Sequence, residues 1–255
     1  MFTNFYFECI IETIITSYLI YETWGSEMEY VVLIILIIIV GYLYYLNTPT
    51  GKGKTLENRI HKVTKNLAKQ LGGLELRDLM FQDDLSTAQI DNLLITSKGL
   101  YVIEAKNYNG HIFGSEKQEN WTMTVKHVNR KKSKSGKIYT KTHISKHSFY
   151  NPIKQNQTHI NKIIKLMEIH NELPIHNIVV FGSKAYLRDV THSHQVFVIN
   201  NNQLRNIIIN QEKSIDKEIE IEKMMDLVDD LNHYNIIDKK EKKDHVKRIK
   251  AKYNK

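Results

Sequence analysis

Residues 90–106 have the sequence IDNLLITSKGLYVIEAK, and this stretch decides the fold prediction. Apolar residues lie on both sides of a tight-turn sequence at residues 97–99, a pattern that predicts an antiparallel β-hairpin. Three charged side chains interrupt the apolar strands: Asp91, Glu104 and Lys106. Charged side chains are unusual inside apolar strands, so we first ask how the three lie relative to one another.

The position of the turn sets which residues face each other. A two-residue turn at 97–98 pairs Asp91 with Glu104, whereas a turn at 98–99 pairs Asp91 with Lys106. Side chains alternate between the two faces of a strand, so either register puts all three on one face, whereas a three-residue loop with a bulge would shift the alignment. Opposed Cβ atoms would then be about 5 Å apart.

Two carboxylates this close repel each other unless a cation lies between them. Hard oxygen ligands suit Mg²⁺ or Mn²⁺, which would be held by Asp91 and Glu104. The ammonium group of Lys106 could orient a water molecule or stabilise charge on a phosphoryl group. The alternative interpretation is an exposed cross-strand ion pair that only holds the register of the hairpin.

Alternating and helical patterns around the hairpin predict a mixed sheet with helices packed on it, an α/β class of fold. The predicted strands are 74–81, 88–96, 100–106, 121–125, 138–144, 176–181 and 195–199. The predicted helices are 56–71, which follows a linker at 47–53, then 151–170, 204–209 and 215–234.

Two predicted helices carry candidate auxiliary residues. Glu57, on the first, could supply a further carboxylate. Gln155 and His159 are four residues apart and therefore share one face of the second helix, where Gln155 could contact phosphate or position water. The alternative in both cases is an ordinary polar helix surface.

A continuous apolar segment, YVVLIILIIIVGYLYYL, extends from Tyr30 to Leu46 and is the predicted transmembrane segment. At about 1.5 Å per residue it would extend roughly 25 Å as a helix, near the lower limit for crossing a bilayer, and tyrosines lie near both ends. Basic residues follow this segment and none precedes it, which predicts an outside N-terminus and a cytoplasmic C-terminal part. A second apolar stretch at 2–21 contains two glutamates, which would be costly at mid-depth in a membrane, so we favour an extracytoplasmic segment; the alternatives are a second span and a chain that starts at Met28.

The net charge is +8, and all 36 Lys and Arg residues lie after residue 50. Residues 126–147 contain eight of them and no acidic residue. Such a basic hairpin fits a nucleic-acid backbone or an anionic membrane surface, and we favour nucleic acid. The single cysteine excludes an intrachain disulfide and a Cys-rich zinc site. The predicted nucleic-acid-binding residues are Arg130, Lys131, Lys132, Lys134 and Lys137.

The segment from about 51 to 210 resembles the nuclease-related domain (NERD) family. The matching motifs are Gly53-x-x-x-Glu57, Gln89-Ile90-Asp91, Gly99 to Asn107, Gly110 to Gly114, Trp121, Asn151-Pro152-Ile153-x-Gln155 and Ile178 to Phe181. This family is similar to restriction-endonuclease-like nucleases of the PD-(D/E)xK type. The resemblance implies that Asp91 and Glu104 bind Mg²⁺, that Lys106 orients water, and that Glu57 and Gln155 are auxiliary.

The sequence thus predicts four parts: an extracytoplasmic segment (1–29), a transmembrane helix (30–47), a nuclease-like domain (51–210), and a C-terminal helix with a basic tail (211–255). The predicted function is a Mg²⁺-dependent nuclease anchored in the cell membrane, with DNA favoured over RNA. The alternative is a non-catalytic, membrane-tethered module that binds nucleic acid or protein. Metal affinity distinguishes the two.

Overall fold

The structure is a computed structural model that describes residues 11–16, 18, 27–82, 87–132, 137–167, 174–216 and 218–235. Two compact units divide the chain, residues 1–52 and residues 53–255. The predictions for most of the 2–21 stretch and for the basic tail fall outside the described residues.

The first unit contains helix α1 (Glu27–Asn47). The predicted segment from Tyr30 to Leu46 lies wholly within this helix, which extends beyond both of its ends, so Leu46 is not the last helical residue. The part that is long and apolar enough to cross a bilayer is Tyr30–Asn47, the same bounds as the predicted transmembrane helix, and none of it is buried within the protein. Apolar side chains such as Ile37 and Ile38 are more than half exposed.

The second unit is built from nine strands and four further helices among the described residues. The helices are α2 (Pro49–Leu71), which begins in the first unit, α3 (Pro152–Met167), α4 (Leu204–Ser214) and α5 (Ile221–Tyr234). The strands are β1 (Leu74–Gln82), β2 (Thr87–Thr96), β3 (Gly99–Lys106), β4 (Gly110–Ser115), β5 (Asn120–Lys132), β6 (Ile138–Tyr150), β7 (Ile175–Phe181), β8 (Ala185–Thr191) and β9 (Val196–Asn200).

These strands form two mixed sheets. The main sheet has the order β1-β2-β3-β7-β9, antiparallel from β1 to β3 and parallel from β3 to β9. The second sheet has the order β6-β5-β4-β8. The predicted α/β class, with a mixed sheet flanked by helices, is confirmed.

Helices cover both faces of the main sheet, because its strands carry apolar side chains on both faces. On one face, Leu94 and Tyr101 belong to a buried cluster with residues of α2 and α4. On the other face, Leu93 and Val102 pack with residues of α3 and α5. The second face leads to the candidate site.

The predicted linker at 47–53 is wrong in part, because α2 already begins at Pro49. The hydroxyl of Thr48 accepts a hydrogen bond from the backbone N–H of Gly51 (3.1 Å), as an N-cap does. Proline is favoured at the first helical position, since its missing N–H would have no partner there. The Thr-Pro pair is therefore a helix start.

The second sheet differs most from the prediction. Its strands β4 and β8 were not predicted, and β5 and β6 extend well beyond 121–125 and 138–144. The two long strands pair from Asn120↔Tyr150 to Lys132↔Ile138. We call their outer part, Lys126–Lys132 with Ile138–His147, the basic ribbon; most of its residues are exposed.

The C-terminal helix α5 starts at Ile221, later than the predicted 215, and it belongs to the packed core. Met224 and Leu231 are 4% and 0% exposed and lie in the same apolar cluster as Ile163 of α3. Removing α5 would therefore expose the side of the sheet that carries the site.

A half-buried histidine gives the fold a predicted acid sensitivity. His176 stacks on Tyr101 with ring centroids 4.7 Å apart, and burial lowers the pKa of His176 to about 4. The unfolded chain takes up this proton near pH 6.5, so folding stability falls as the pH drops from about 6.5 to 4. At about 1.4 kcal/mol per pH unit the upper limit of the loss is about 3.5 kcal/mol, and solvent screening of the partly exposed His176 keeps the loss below that limit.

We expect His176→Phe, which keeps a ring against Tyr101, to show a smaller loss of stability over this pH range than the parent protein. Urea unfolding at pH 7 and pH 4.5 measures the difference. Equal losses in the two proteins would mean that His176 is not the responsible group.

Candidate active site

The hairpin of β2 and β3 has the two-residue turn at 97–98. Thr96 pairs with Gly99, and the ladder continues to Asn92 opposite Ile103. The hydroxyl of Thr96 accepts hydrogen bonds from the backbone N–H groups of Lys98 and Gly99, which fixes this turn. Of the two registers that the sequence allowed, the structure has the one that aligns Asp91 with Glu104.

The site continues an apolar ladder on the sheet face that α3 covers. Ile95 lies opposite Leu100 and Leu93 lies opposite Val102, all of them fully buried. Strand alternation places Asp91 and Glu104 next on that face, and then Lys106. Charged groups thus replace aliphatic ones where the sheet reaches the first turns of α3.

Hydrogen bonds join the three charged residues. Asp91 Oδ2 accepts the backbone N–H of Ala105 at 2.8 Å. Lys106 Nζ donates to Glu104 Oε1 at 2.5 Å and to Gln155 Oε1 at 2.9 Å. The structure therefore brings Asp91, Glu104, Lys106 and Gln155 together.

Helix α3 is fixed in place by two asparagines. Asn151 caps the helix by accepting the backbone N–H of Ile153 at 3.0 Å. Asn156, fully buried, donates to the carbonyl of Val102 at 2.8 Å and to Asn177 Oδ1 at 2.9 Å. These bonds hold α3 against β3 and β7, so Gln155 points at the end of β3.

His159 is a site residue that the sequence indicated only as a neighbour of Gln155. Its Nε2 lies 3.5 Å from Glu104 Oε2, and the residue is 7% exposed. Within the described part of the chain neither ring nitrogen has a hydrogen-bond partner. At 3.5 Å the contact is electrostatic, because a well-formed hydrogen bond is shorter.

The two acids differ in electrostatic environment. Burial, and then the nearby charge of Glu104, raises the pKa of Asp91 well above its usual range. Burial also acts to raise the pKa of Glu104, but Lys106 and His159 outweigh it, so that pKa is lowered. The site therefore stabilises the charged form of Glu104, whereas Asp91 has too little positive charge nearby to stabilise its carboxylate.

Lys106 is held as a cation. Burial disfavours its charge, but Glu104 foremost, with smaller contributions from Tyr108 and Asp91, raises the pKa of Lys106 above its ordinary value. A lysine with a raised pKa cannot act as a base at neutral pH. It can donate hydrogen bonds to a water molecule or to a phosphate oxygen.

Two further acids lie near the site. Glu57 of α2 is exposed overall, yet partial shielding of its carboxyl group and the charges of Asp78 and Glu104 raise the pKa of Glu57. Asp78 of β1 lies across from Asp91, because the pairs on either side of it are Arg77↔Asn92 and Leu79↔Ile90. The backbone of Asp78 has a positive φ of 51°. Asp tolerates this conformation better than most residues. The sequence did not indicate Asp78.

The residues present fit a divalent cation with a partial protein shell. Two carboxylates, one of them with a strongly raised pKa, are the hard oxygen donors that Mg²⁺ and Mn²⁺ take. No group of three or more His, Cys, Asp or Glu side chains among the described residues is arranged to hold a metal ion. Asp91 and Glu104 would therefore share such a cation with water and substrate oxygens, as is usual for Mg²⁺.

Three of the predicted nucleic-acid-binding residues, Arg130, Lys131 and Lys132, lie on the basic ribbon, outside this cluster, and Lys137 directly precedes its second strand. Arg130, Lys131, Lys132 and Lys137 are exposed, and Lys134 falls outside the described residues. Aromatic rings connect the base of the ribbon with the site, since Tyr108 contacts Phe149 of β6 with centroids 4.6 Å apart.

Residues 52–182 match the nuclease-related domain family, over a segment that includes every residue of the site described above. The chain belongs to the NERD family. The predicted family is thereby confirmed, and NERD membership implies a restriction-endonuclease-like fold for the matched segment.

A curated relative is similar over nearly the whole chain. An uncharacterised protein of Bacillus anthracis is 31% identical over 231 residues, which cover 88% of this NERD protein and 99% of that one. A solved structure, Can2 from Sulfobacillus thermosulfidooxidans in complex with cyclic tetra-adenylate, has 15% identity and a TM-score of 0.29. That match covers 62% of this chain and 35% of Can2, and it is too distant to bear on the site.

Proposed function

We propose that this NERD protein is a membrane-anchored nuclease that hydrolyses phosphodiester bonds with Mg²⁺ or Mn²⁺. The observation that carries the proposal is the group of contacts around Lys106, whose ammonium bridges Glu104 and Gln155. Asp91 is fixed beside them through the N–H of Ala105. A lone surface ion pair would need neither the burial of Glu104 nor the contact from α3.

Asp91 and Glu104 would hold the cation, which when bound lowers the pKa of water and neutralises phosphate charge. Lys106, fixed as a cation, donates a hydrogen bond to the attacking water or to a non-bridging phosphate oxygen. Gln155 limits the rotation of the Lys106 ammonium and so orients that donor. Glu57 is a candidate auxiliary acid at the edge of the site.

The reaction is an in-line displacement at phosphorus. The water oxygen forms the new P–O bond and releases a proton to solvent, the bond to the leaving sugar oxygen breaks, and that oxygen takes up a proton from solvent. Negative charge grows on the phosphate oxygens meanwhile, and the Lys106 ammonium stabilises it because the site is partly shielded from water. This role requires a charge and not a base, in agreement with the raised pKa of Lys106.

The basic ribbon would hold the nucleic-acid backbone through phosphate contacts. Its position supports this role, since the ribbon begins close to Phe149, which contacts Tyr108, two residues after Lys106. We favour DNA as the substrate because the PD-(D/E)xK nucleases that the family resembles include restriction enzymes.

The anchor of this proposal is α1. Its segment Tyr30–Asn47 is strongly apolar, and tyrosines lie near both of its ends, as at membrane interfaces. Lysines follow this segment and no basic residue precedes it, so we propose that the NERD domain faces the cytoplasm.

Cleavage by the full chain, purified in detergent, tests the nuclease proposal. We expect Mg²⁺-dependent cleavage of DNA that stops when EDTA removes the metal and returns when excess Mg²⁺ is added. RNA and single-stranded DNA are assayed in parallel to define the substrate. Nucleic-acid binding without cleavage under any of these conditions would instead support the non-catalytic binding module.

A further inference from the structure

The register of the basic ribbon separates its side chains into two faces. Residues directly opposite each other in an antiparallel pair share a face. One face continues the side of β5 that carries buried Trp121, and we call it the inner face; the opposite one is the outer face. The inner pairs are His127↔His143, Asn129↔Lys141 and Lys131↔Tyr139, and the outer pairs are Lys126↔Ile144, Val128↔Thr142, Arg130↔Thr140 and Lys132↔Ile138.

The aliphatic side chains of the ribbon all lie on the outer face. Val128, Ile138 and Ile144 are 54%, 72% and 63% exposed. The inner face of the ribbon carries imidazoles, lysines, an amide, a serine hydroxyl and one aromatic ring, that of Tyr139, which is 50% exposed. Val128 is a diagonal neighbour of Ile144 across the ladder, whereas Ile138 lies opposite Lys132 near the far end of the ribbon, so exposed apolar groups are distributed along the outer face.

Cations alternate with these aliphatic residues. Lys126, Arg130 and Lys132 lie on the outer face, and the ribbon contains no acidic residue. A partner for this face must therefore present negative charge at its surface and apolar groups just beneath. A nucleic-acid backbone offers phosphate but little apolar surface, whereas an anionic phospholipid layer offers both.

We propose that the outer face of the ribbon docks on the surface of an anionic lipid bilayer. Val128, Ile138 and Ile144 enter the headgroup region, and Lys126, Arg130 and Lys132 contact lipid phosphates. The inner face remains available for nucleic acid, so the backbone contacts proposed above for the ribbon fall to Lys131 and Lys141 and not to Arg130 or Lys132. The membrane anchor of α1 only keeps the ribbon near a bilayer, and docking of the outer face does not depend on nuclease activity.

A fluorescent probe on neighbouring residues tests this assignment. In the full chain with Cys9→Ser, the variant Ile144→Cys carries an NBD label on the outer face. His143→Cys, one residue away on the inner face, is the matched control. Both proteins are placed in nanodiscs of phosphatidylcholine, with or without about 30% phosphatidylglycerol, an anionic lipid.

We expect phosphatidylglycerol to raise NBD emission at position 144 about threefold, with a blue shift, and to leave position 143 unchanged. Replacing Lys126, Arg130 and Lys132 together with Gln should abolish the change at position 144. Equal emission at position 144 in both lipids would overturn the proposal. A response of position 144 to added DNA in phosphatidylcholine discs would also overturn it, because the outer face would then bind nucleic acid.

The anchor is tested separately by incorporation of the protein into the discs. If the chain does not incorporate, the proposed span is wrong, and the same two labels are measured with phosphatidylglycerol vesicles. A response confined to position 144 supports the docking face there too, and no response overturns it.

Discussion

Lys106→Ala is expected to lower Mg²⁺-dependent cleavage by about 10²- to 10³-fold, the range seen when one donor to a developing negative charge is removed. Among the described residues of the site, Lys106 is the only one that donates hydrogen bonds to both Glu104 and Gln155, and the variant lacks this donor. Because Lys106 acts on charge that grows during the reaction, kcat should fall more than KM rises.

Lys98→Ala is the matched control for this prediction. Lys98 lies at the other end of the same hairpin and forms an ion pair with Glu218 at 3.3 Å. This variant should cleave like the parent protein. If Lys106→Ala retains full activity, the cleavage comes from a contaminant or from a different site.

Asp91→Asn is expected to abolish cleavage and at the same time to stabilise the fold. Burial and Glu104 raise the pKa of Asp91 above its unfolded value, so ionisation of this group at neutral pH costs folding free energy. Asn removes the charge, and its side-chain oxygen can still accept the N–H of Ala105. A gain of about 1 kcal/mol would raise Tm by about 2–4 °C for a domain of this size.

Thermal unfolding without metal at pH 8 measures this effect. Asp229→Asn, an exposed position on α5, should leave Tm unchanged. The result also separates the two interpretations of the hairpin. If Asp91 only holds the strand register through an ion pair, Asp91→Asn should lower Tm.

The convergence of Asp91, Glu104 and Lys106 was predictable because strand alternation leaves few choices. A hairpin with a two-residue turn fixes which side chains share a face, and both positions of such a turn within 97–99 put the three residues on one face; only a three-residue loop with a bulge would have shifted them. Gln155 was indicated by its helix face for a similar reason, since helical periodicity places it off the apolar stripe.

Other features depend on contacts that sequence spacing does not encode. His159 reaches Glu104 only because Asn156 fixes α3 on β3. Asp78 lies near Asp91 because β1 pairs with β2 and because the backbone of Asp78 has a left-handed conformation. The strand β8 has mostly exposed polar residues, with only Leu187 and Val190 partly buried between its ends, and it forms by adding to the edge of β4. Tertiary pairing overrides weak local preference in such segments.

The central claim is that Asp91 and Glu104 together bind a divalent cation beside Lys106. Titration of Mn²⁺ into the full chain by calorimetry tests it most directly, with Asp91→Asn as the variant and Asp229→Asn as the control. We predict a saturable site in the parent and the control, weakened at least about tenfold in Asp91→Asn. A parent protein that binds no Mn²⁺, or an Asp91→Asn variant that binds it as tightly as the parent, would contradict the claim.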